Sequence, residues 1–499
     1  MSQTLNSALA WWARMKPDLA ALTIEGETLS YRDLHFWSER IAARLEADGL
    51  QPGERVAVSS ANSLEYCALA FGVIRAGGIF VPMNLRFTRH EAAEVLEDAS
   101  PRMLFCDHDR KGRFDGLGVP VADLEALRDL KEGPPAVVAH DQDPEAAVVI
   151  ITTSGSTARP KGVVFSHRSM VNYAAEFVLA QPNISQGARI LVLAPLSTSA
   201  GFVQLVQYTN LACSLYLEPV FEAEKALKLL VDEKINAFGG VPVLFERIAA
   251  LPGFAAADLS SLQLVTVGGA RVTHALLNAW MAKDIVIRQI YGQTECGGNA
   301  TIMPEHLARI MPEKCGWGGV YTDLVVQAPD GRRCKPGEVG EILIRGPGRM
   351  IGYWNNPTAT AEAVRDGWLY SGDLGMLDEQ GLLTFVDRVK DIIISGGLNI
   401  SAAEVERCIG EYPGVEEVVV IAAPDQKFGE TPMAVLYGPA PIDIAALVAH
   451  CNERLSDYKV PRYVVTEAEP LPRLATNKLS KPAVRAKYKD LVASLPRVR

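Results

Sequence analysis

Apolar positions in the first third of the chain alternate between two periods. Between residues 31 and 49, Leu34, Trp37, Ile41 and Leu45 fall three and four apart, the stripe of a half-buried helix, and Gly49 suits its carboxyl end. Arg55-Val56-Ala57-Val58 reads as a short strand, a helix then runs to Ala76 and closes on Gly77-Gly78, and Ile79-Phe80-Val81 reads as the next strand. A helix over 89–98 and the strand Met103-Leu104-Phe105-Cys106 repeat the unit. Such alternation predicts an α/β layer with a mostly parallel sheet, because parallel strands need a crossover that a helix supplies. Residues 108–146, rich in Asp, Gly and Pro, read as a surface connection with little core.

The run Ala147-Val148-Val149-Ile150-Ile151 predicts a buried strand, and it stops at Thr152-Thr153-Ser154-Gly155-Ser156-Thr157-Ala158-Arg159-Pro160-Lys161-Gly162. Beyond this loop come short apolar strands at 190–193, 214–217, 264–267 and 285–287, separated by helical stretches. From about residue 315, glycine-rich turns and strands such as Glu341-Ile342-Leu343-Ile344 indicate a small β region. A charged joint at 387–391 leads into Ile392-Ile393-Ile394, then a helix over 402–411, strands at 416–422 and 432–437, a helix over 442–455 and a strand at 463–465. That tail reads as a separate α+β domain. Internal repeats and low-complexity tracts are absent.

Composition narrows the class. A chain of 499 residues, 48% hydrophobic and 22% charged, is expected to fold as a globular protein of several domains with large buried cores. A net charge of −10 argues against a nucleic-acid surface and requires any polyanion site to be locally positive. The eight cysteines are scattered, none in a C-x-x-C pair, and several lie in apolar runs, which fits free thiols in a reducing cytoplasm. Residues 1–16 carry paired tryptophans but no leader-like apolar core, and no run is long enough to span a membrane.

In doubly wound sheets ligands gather beyond the carboxyl ends of the strands, and three such ends carry residues suited to chemistry. The first is the hydroxyl-rich loop, where Thr153, Ser154, Gly155, Ser156 and Thr157 offer hydroxyls and backbone N–H groups to phosphate oxygens and Lys161 offsets their charge. Its spacing, with Pro160 intervening, is not that of a Walker loop, and a merely flexible loop has the same composition. The second, Gly268-Gly269-Ala270, lets a flat base lie against bare backbone or simply turns the chain. At the third, Tyr291-Gly292-Gln293-Thr294-Glu295, the carboxylate suits Mg²⁺, which takes one or two carboxylates plus phosphate oxygens; a solvated loop Glu is the alternative.

Further along, Tyr370-Ser371-Gly372-Asp373 places a carboxylate able to accept both hydroxyls of a ribose. Arg388 and Lys390 follow in Asp387-Arg388-Val389-Lys390-Asp391, a pattern also typical of solvated linkers. Gly396-Gly397, ahead of Asn399, implies close backbone approach or positive φ. Leu471-Pro472-Arg473-Leu474-Ala475-Thr476-Asn477-Lys478 puts a lysine on a proline-punctuated loop, by itself an ordinary surface lysine.

Taken in order, these motifs resemble those of the adenylate-forming acyl-CoA synthetase superfamily, which includes acyl- and aryl-CoA ligases, luciferases and peptide-synthetase adenylation domains. The resemblance runs from Tyr31 to Lys478. It implies a large N-terminal α/β domain with stacked, mostly parallel sheets over about 1–314, a small β-barrel-like region over 315–387, a hinge at 388–390, and a smaller mobile α+β lid over 391–499. It also implies ATP, Mg²⁺ and coenzyme A as co-substrates and metal, and a reaction that adenylates a carboxylic acid, releases pyrophosphate and passes the acyl group to the thiol.

By that resemblance the loop and Lys161 hold the phosphates, Thr294 contacts the α-phosphate, Glu295 binds Mg²⁺, and Gly269, Ala270, Tyr291, Gly292 and Gln293 belong to the nucleotide site. Asp373 and Arg388 hold ribose, Lys390 is the hinge, Gly396 and Gly397 approach the coenzyme A channel, and Lys478 bridges carboxylate and α-phosphate. The sequence departs from the family pattern in three places. Asn477 stands for a Gly, Ala402 for a Pro, and Ser197-Thr198 for an aromatic residue followed by His. The last change predicts a roomier acyl pocket for a bulky aryl, alicyclic or medium-chain acid, with Thr198, Phe202, Val241 and Ile290 as its lining. Loading of a separate carrier protein is the second reading and a non-catalytic nucleotide-binding protein the third; a homodimer is among the assemblies allowed.

Overall fold

The computed structural model describes residues 3–136, 142–153, 161–269, 272–474 and 478–499. The chain divides into two compact units, one of Met1–Leu324 with Ile344–Tyr370 and one of Val325–Leu343 with Ser371–Arg499. Among the described residues no helix is long and apolar enough to cross a membrane.

The larger unit is built on two seven-stranded sheets. In the first, the strands run in the order Ile287–Gln289, Leu264–Val267, Ala237–Gly240, Arg189–Val192, Ser214–Leu217, Ala20–Ile24 and Glu27–Ser30. All neighbours are parallel except the last pair. The second runs Gly352–Tyr353, Lys161–Ser166, Ala147–Thr153, Ile79–Pro82, Arg55–Ser59, Met103–Cys106 and Val121–Asp123, parallel from Ala147–Thr153 onward and antiparallel at its other end. The expected α/β architecture with mostly parallel sheets is the one observed.

Helix Tyr31–Ala47 shows how local sequence starts and anchors an element. Ser30 caps it by accepting from the Asp33 backbone N–H while Asp33 reaches back to the Ser30 backbone, a reciprocal capping box. Its stripe of Leu34, Trp37, Ile41 and Leu45 is buried, each side chain contributing about 1.5–3 kcal/mol by leaving water. The helix lies close against Leu64–Arg75, since a Cβ at Gly72 would sit 2.5 Å from Ile41 Cγ2.

Three expectations need correction. Residues 108–130 are not a bare surface connection: strand Val121–Asp123 extends the second sheet, and Phe114, Leu124 and Leu127 are buried. Trp37 Nε1 donates to Leu127 O at 3.0 Å, which ties this segment to the helix stripe. The strand expected from Ile285 begins two residues later, at Ile287, after a turn at Asp284 with φ of +63°. Strand Lys161–Ser166, absent from the expected elements, returns antiparallel to Ala147–Thr153, so the hydroxyl-rich stretch lies between two paired strands.

The smaller unit contains a five-stranded sheet, Leu398–Ser401, Ile392–Ser395, Gly429–Tyr437 and Glu417–Asp425, with Tyr463–Glu467 parallel to Gly429–Tyr437. Alternate residues of its central strands serve opposite cores. Val420, Ala434 and Leu436 pack with helices Ala402–Gly410 and Ile444–Arg454, whereas Val419, Ile421, Met433 and Val435 pack with Lys481–Tyr488. Both faces being covered, these strands read as continuous apolar runs. The α+β character expected of the tail is observed, in a unit that also takes in Val325–Leu343.

Candidate active site

In the larger unit, the hairpin sets Thr153 opposite Lys161, and the Thr153 hydroxyl donates to Lys161 O at 3.3 Å. Gly162 is required for this approach, because a Cβ there would meet Ile150 Cγ2 at 2.6 Å and Trp354 Cβ at 3.2 Å. Ser154, Gly155, Ser156 and Thr157 lie outside the described residues, as does Ala270. The short strand Gly352–Tyr353 pairs with the outer edge of the hairpin and brings a residue that sequence reasoning missed. The Lys161 ammonium lies 5.0 Å from the centre of the Tyr353 ring, and the Tyr353 hydroxyl donates to Glu295 Oε1 at 2.9 Å. Burial and the Glu295 carboxylate push the Tyr353 phenol far above its ordinary pKa, so it remains a donor. The signal for Tyr353 was faint: an aromatic pair after a glycine in an otherwise polar turn.

The segment from Tyr291 to Gly298 is a compact turn built on glycine. A Cβ at Gly292 would fall 1.8 Å from Gly298 O, so only glycine allows this fold of the backbone. Tyr291 is buried and its N–H donates to Thr301 Oγ1 at 3.0 Å. Thr294 and Glu295 form a single 3₁₀ turn with Cys296, whose thiol burial pushes up to about 12. Among the described residues no group of three or more His, Cys, Asp or Glu could hold a metal ion. An ion at Glu295 therefore needs phosphate and water oxygens to complete its shell, which is the donor set Mg²⁺ takes beside a substrate phosphate. A single carboxylate at this turn fits Mg²⁺ held beside a substrate phosphate.

The carboxyl ends of four adjacent parallel strands deliver the remaining candidates to one sheet edge. Ile290 follows Ile287–Gln289, Gly268 and Gly269 follow Leu264–Val267, Val241 follows Ala237–Gly240, and residues 193–198 follow Arg189–Val192. Gly269 has φ of +76°, so the glycine pair does turn the chain. Thr198 caps helix Ser199–Asn210, its oxygen accepting from the Gly201 N–H and its hydroxyl donating to Pro195 O at 2.7 Å. Thr198, Val241 and Ile290 are half-buried at this edge. Phe202, at 0% exposure, stacks its ring on Phe80 with centroids 5.5 Å apart.

In the smaller unit, Asp373 and Arg388 face each other across an antiparallel pair, with Arg388 Nε 3.5 Å from Asp373 Oδ1. Lys478 belongs to the same cluster. Its pKa is lowered first by burial and then by Arg388, with Asp373 acting the other way. A bridge between Arg473 and Leu479 and a bond from Leu474 N to Lys478 O at 2.7 Å close its loop; Asn477 lies outside the described residues. Lys390 is likewise lowered by burial and by Arg388. Next to it, buried Asp387 accepts from the Ser401 hydroxyl at 2.8 Å and the Ala403 N–H at 2.9 Å, tying the 388–390 segment to the start of helix Ala402–Gly410. Gly396 and Gly397 form the tip of the hairpin Ile392–Ser395 to Leu398–Ser401, with φ of +57° and +81°. Positive φ at both central residues is what a two-residue hairpin turn demands.

Residues 9–354 match the family model described as AMP-binding enzyme, and residues 404–478 match that of the AMP-binding enzyme C-terminal domain. The chain belongs to the AMP-binding enzyme family. It is 36% identical to a feruloyl-CoA synthase of Amycolatopsis sp. over 97% of this chain and 99% of that one. It is 32% identical to the fatty acid–[acyl-carrier-protein] ligase ScoC of Streptomyces coeruleorubidus over 97% of this chain and 96% of the relative. Among solved structures, it resembles the o-succinylbenzoate coenzyme A synthetase of Bacillus subtilis in complex with ATP and magnesium ion. The TM-score is 0.89 with 28% identity, over 97% of this chain and 99% of that one.

Proposed function

We propose that this enzyme is an acid:CoA ligase that adenylates a carboxylic acid with ATP and then transfers the acyl group to coenzyme A. The acid we assign is a bulky aryl, alicyclic or medium-chain one. The observation that carries the reading is that similarity to a CoA-acylating relative spans both units, 97% of the chain, and each unit holds a cluster of charge suited to one part of the reaction. The Thr198 position supports the substrate class, since a capping threonine leaves more room at the sheet edge than an imidazole.

The first half-reaction must bring a carboxylate to a triphosphate, and two unit charges ~4 Å apart repel by about 4 kcal/mol at an effective dielectric of about 20. Lys161 and the hydroxyls of residues 153–157 would hold the β- and γ-phosphates. Glu295 would hold Mg²⁺, which when bound supplies positive charge to the phosphate oxygens. Tyr291 and Gly269 would frame adenine, Asp373 would accept the ribose hydroxyls, and Arg388 would steady Asp373. The Lys478 ammonium would sit between the acid's carboxylate and the α-phosphate as the carboxylate oxygen bonds to phosphorus and the bond to pyrophosphate breaks. Placed charge and positioning do the work, with no covalent enzyme intermediate.

For the second half, rotation about Lys390 would withdraw Lys478 and bring the Gly396-Gly397 turn to the thiol's channel. The thiolate then attacks the acyl carbonyl and AMP leaves. All eight cysteines are free, which supports work in the reducing cytoplasm. The similarity to an acyl-carrier-protein ligase favours a second reading, in which the thiol is a carrier's phosphopantetheine.

A panel of acids, ATP and Mg²⁺ with and without coenzyme A decides between them. The expected result is acid-dependent pyrophosphate exchange and formation of acyl-CoA and AMP with an aryl or alicyclic acid. Exchange without acyl-CoA would move the acceptor to a carrier protein, and no exchange with any acid would refute adenylation.

A further inference from the structure

Lys161 and Glu295 come from different strand ends and carry opposite charges, yet one side chain touches both. The Tyr353 ring lies under the Lys161 ammonium at 5.0 Å, and its hydroxyl donates to Glu295 Oε1 at 2.9 Å. The backbone around Tyr353 is tied on every side. Met350 N donates to Glu295 O at 2.9 Å and Trp354 N donates to Gly162 O at 2.7 Å. Tyr353 N donates to Thr360 Oγ1 at 2.9 Å, and Gly352 and Tyr353 pair with Val164 and Val163. A Cβ at Gly352 would come within 3.0 Å of Thr360 Cγ2, so the strand is pressed against its neighbour at the point where Tyr353 projects. The backbone that carries the ring is thus fixed to both the Lys161 hairpin and the Glu295 turn.

We infer that Tyr353 is a positioning residue that fixes the metal-binding carboxylate of Glu295 and the phosphate-binding ammonium of Lys161 with a single phenol. The inference rests on the reading of Glu295 as the Mg²⁺ ligand given above. A free glutamate carboxylate rotates about its terminal torsion; a donor locked on Oε1 stops that rotation and presents the group to an ion in one orientation. Hydrogen bonds of this kind to a metal's carboxylate ligand govern metal affinity, and their loss costs about 10- to 100-fold. The ring acts separately, through the attraction between an ammonium and an aromatic face. Hydroxyl and ring therefore have separable consequences: the first governs how the site answers to Mg²⁺, the second how it holds the phosphates with or without the ion.

The test is equilibrium binding of ATP by titration calorimetry across a Mg²⁺ series, with acid and coenzyme A left out so that nothing turns over. Wild type is compared with Tyr353→Phe, Tyr353→Leu and Glu295→Gln, each checked for an unchanged melting temperature. Tyr353→Phe is expected to need about tenfold more Mg²⁺ for half-maximal strengthening of ATP binding, while its ATP affinity without metal stays that of wild type. Tyr353→Leu is expected to add a loss of about two- to fivefold in metal-free affinity. If Glu295→Gln shifts the Mg²⁺ dependence and Tyr353→Phe does not, the inference about Tyr353 is overturned while Glu295 keeps its role. If Glu295→Gln also leaves it unchanged, Glu295 is not the ligand and both readings fall. An equal loss in Tyr353→Phe with and without Mg²⁺ would make the tyrosine a purely structural residue and would likewise overturn the inference.

Discussion

Replacing Lys478 by alanine should separate the two half-reactions. The residue sits in one cluster with Asp373 and Arg388, where burial and the guanidinium both lower its pKa. That environment is poorly solvated, so the ammonium acts through an effective dielectric well below that of water. At ~4 Å from the α-phosphate and a dielectric of about 20, one positive charge contributes about 4 kcal/mol, equivalent to a rate factor of about 10³. Losses of this size follow removal of one charge-stabilising donor elsewhere in enzymes. Lys478→Ala is therefore expected to slow acid-dependent pyrophosphate exchange about 10³-fold. Conversion of a supplied acyl-adenylate and coenzyme A to thioester should stay near the wild-type rate, since the proposed rotation removes Lys478 from that step. Rapid-quench measurement of each half alone gives both numbers. Equal loss in the two halves, or a loss under tenfold in the first, would refute the role assigned to Lys478.

Gly162→Ala should destabilise the larger unit by about 1–3 kcal/mol, because its Cβ would press on Ile150 and Trp354; an unchanged urea midpoint would show that the hairpin has room to spare. Thr198→His removes the cap of helix Ser199–Asn210, at a cost of about 1 kcal/mol, and should shrink the range of acids accepted; an unchanged acid profile would take Thr198 out of the pocket. Buried His167 accepts from the Leu5 N–H through Nδ1 at 3.2 Å, and desolvation lowers its pKa from 6.5 to about 4. Because the unfolded chain takes up this proton first, the contribution is whole above pH 6.5 and fades as the pH falls toward 4, by up to about 3 kcal/mol. His167→Asn, whose amide oxygen can replace Nδ1 as acceptor, should flatten the decline of stability in that window; an identical pH profile would remove His167 as its source.

Much of the scaffold was legible because its causes are local. The Leu34, Trp37, Ile41 and Leu45 stripe needed only its own spacing, and the central strands of the smaller unit showed as continuous apolar runs. Gly396 and Gly397 announced their positive φ by composition. Segment 108–130 was opaque because 3₁₀ turns and a three-residue strand leave no periodic trace, and its burial comes from Trp37 on a distant helix. Strand Lys161–Ser166 was hidden because Gly162 looked like more loop; only its packing against Ile150 and Trp354 explains the glycine. The Phe202 stack on Phe80 was equally hidden, since the two aromatic residues lie far apart along the chain.

The order of hydroxyl loop, glycine pairs, Glu295, Asp373, Arg388 and Lys478 carries the resemblance to the adenylate-forming family, and the chain alone supplies that order. Which groups stand together was decided by folding. Glu295 meets a phenol 58 residues later only because Gly352–Tyr353 adds to the edge of the Lys161 hairpin. Arg388 meets Asp373 through the register of two antiparallel strands, and Lys478 joins them from a loop near the far end of the same unit. Local propensity reaches a few residues along the chain. The distances at which charges act on one another are set by strand order and packing, sums over many contacts that no single stretch contains.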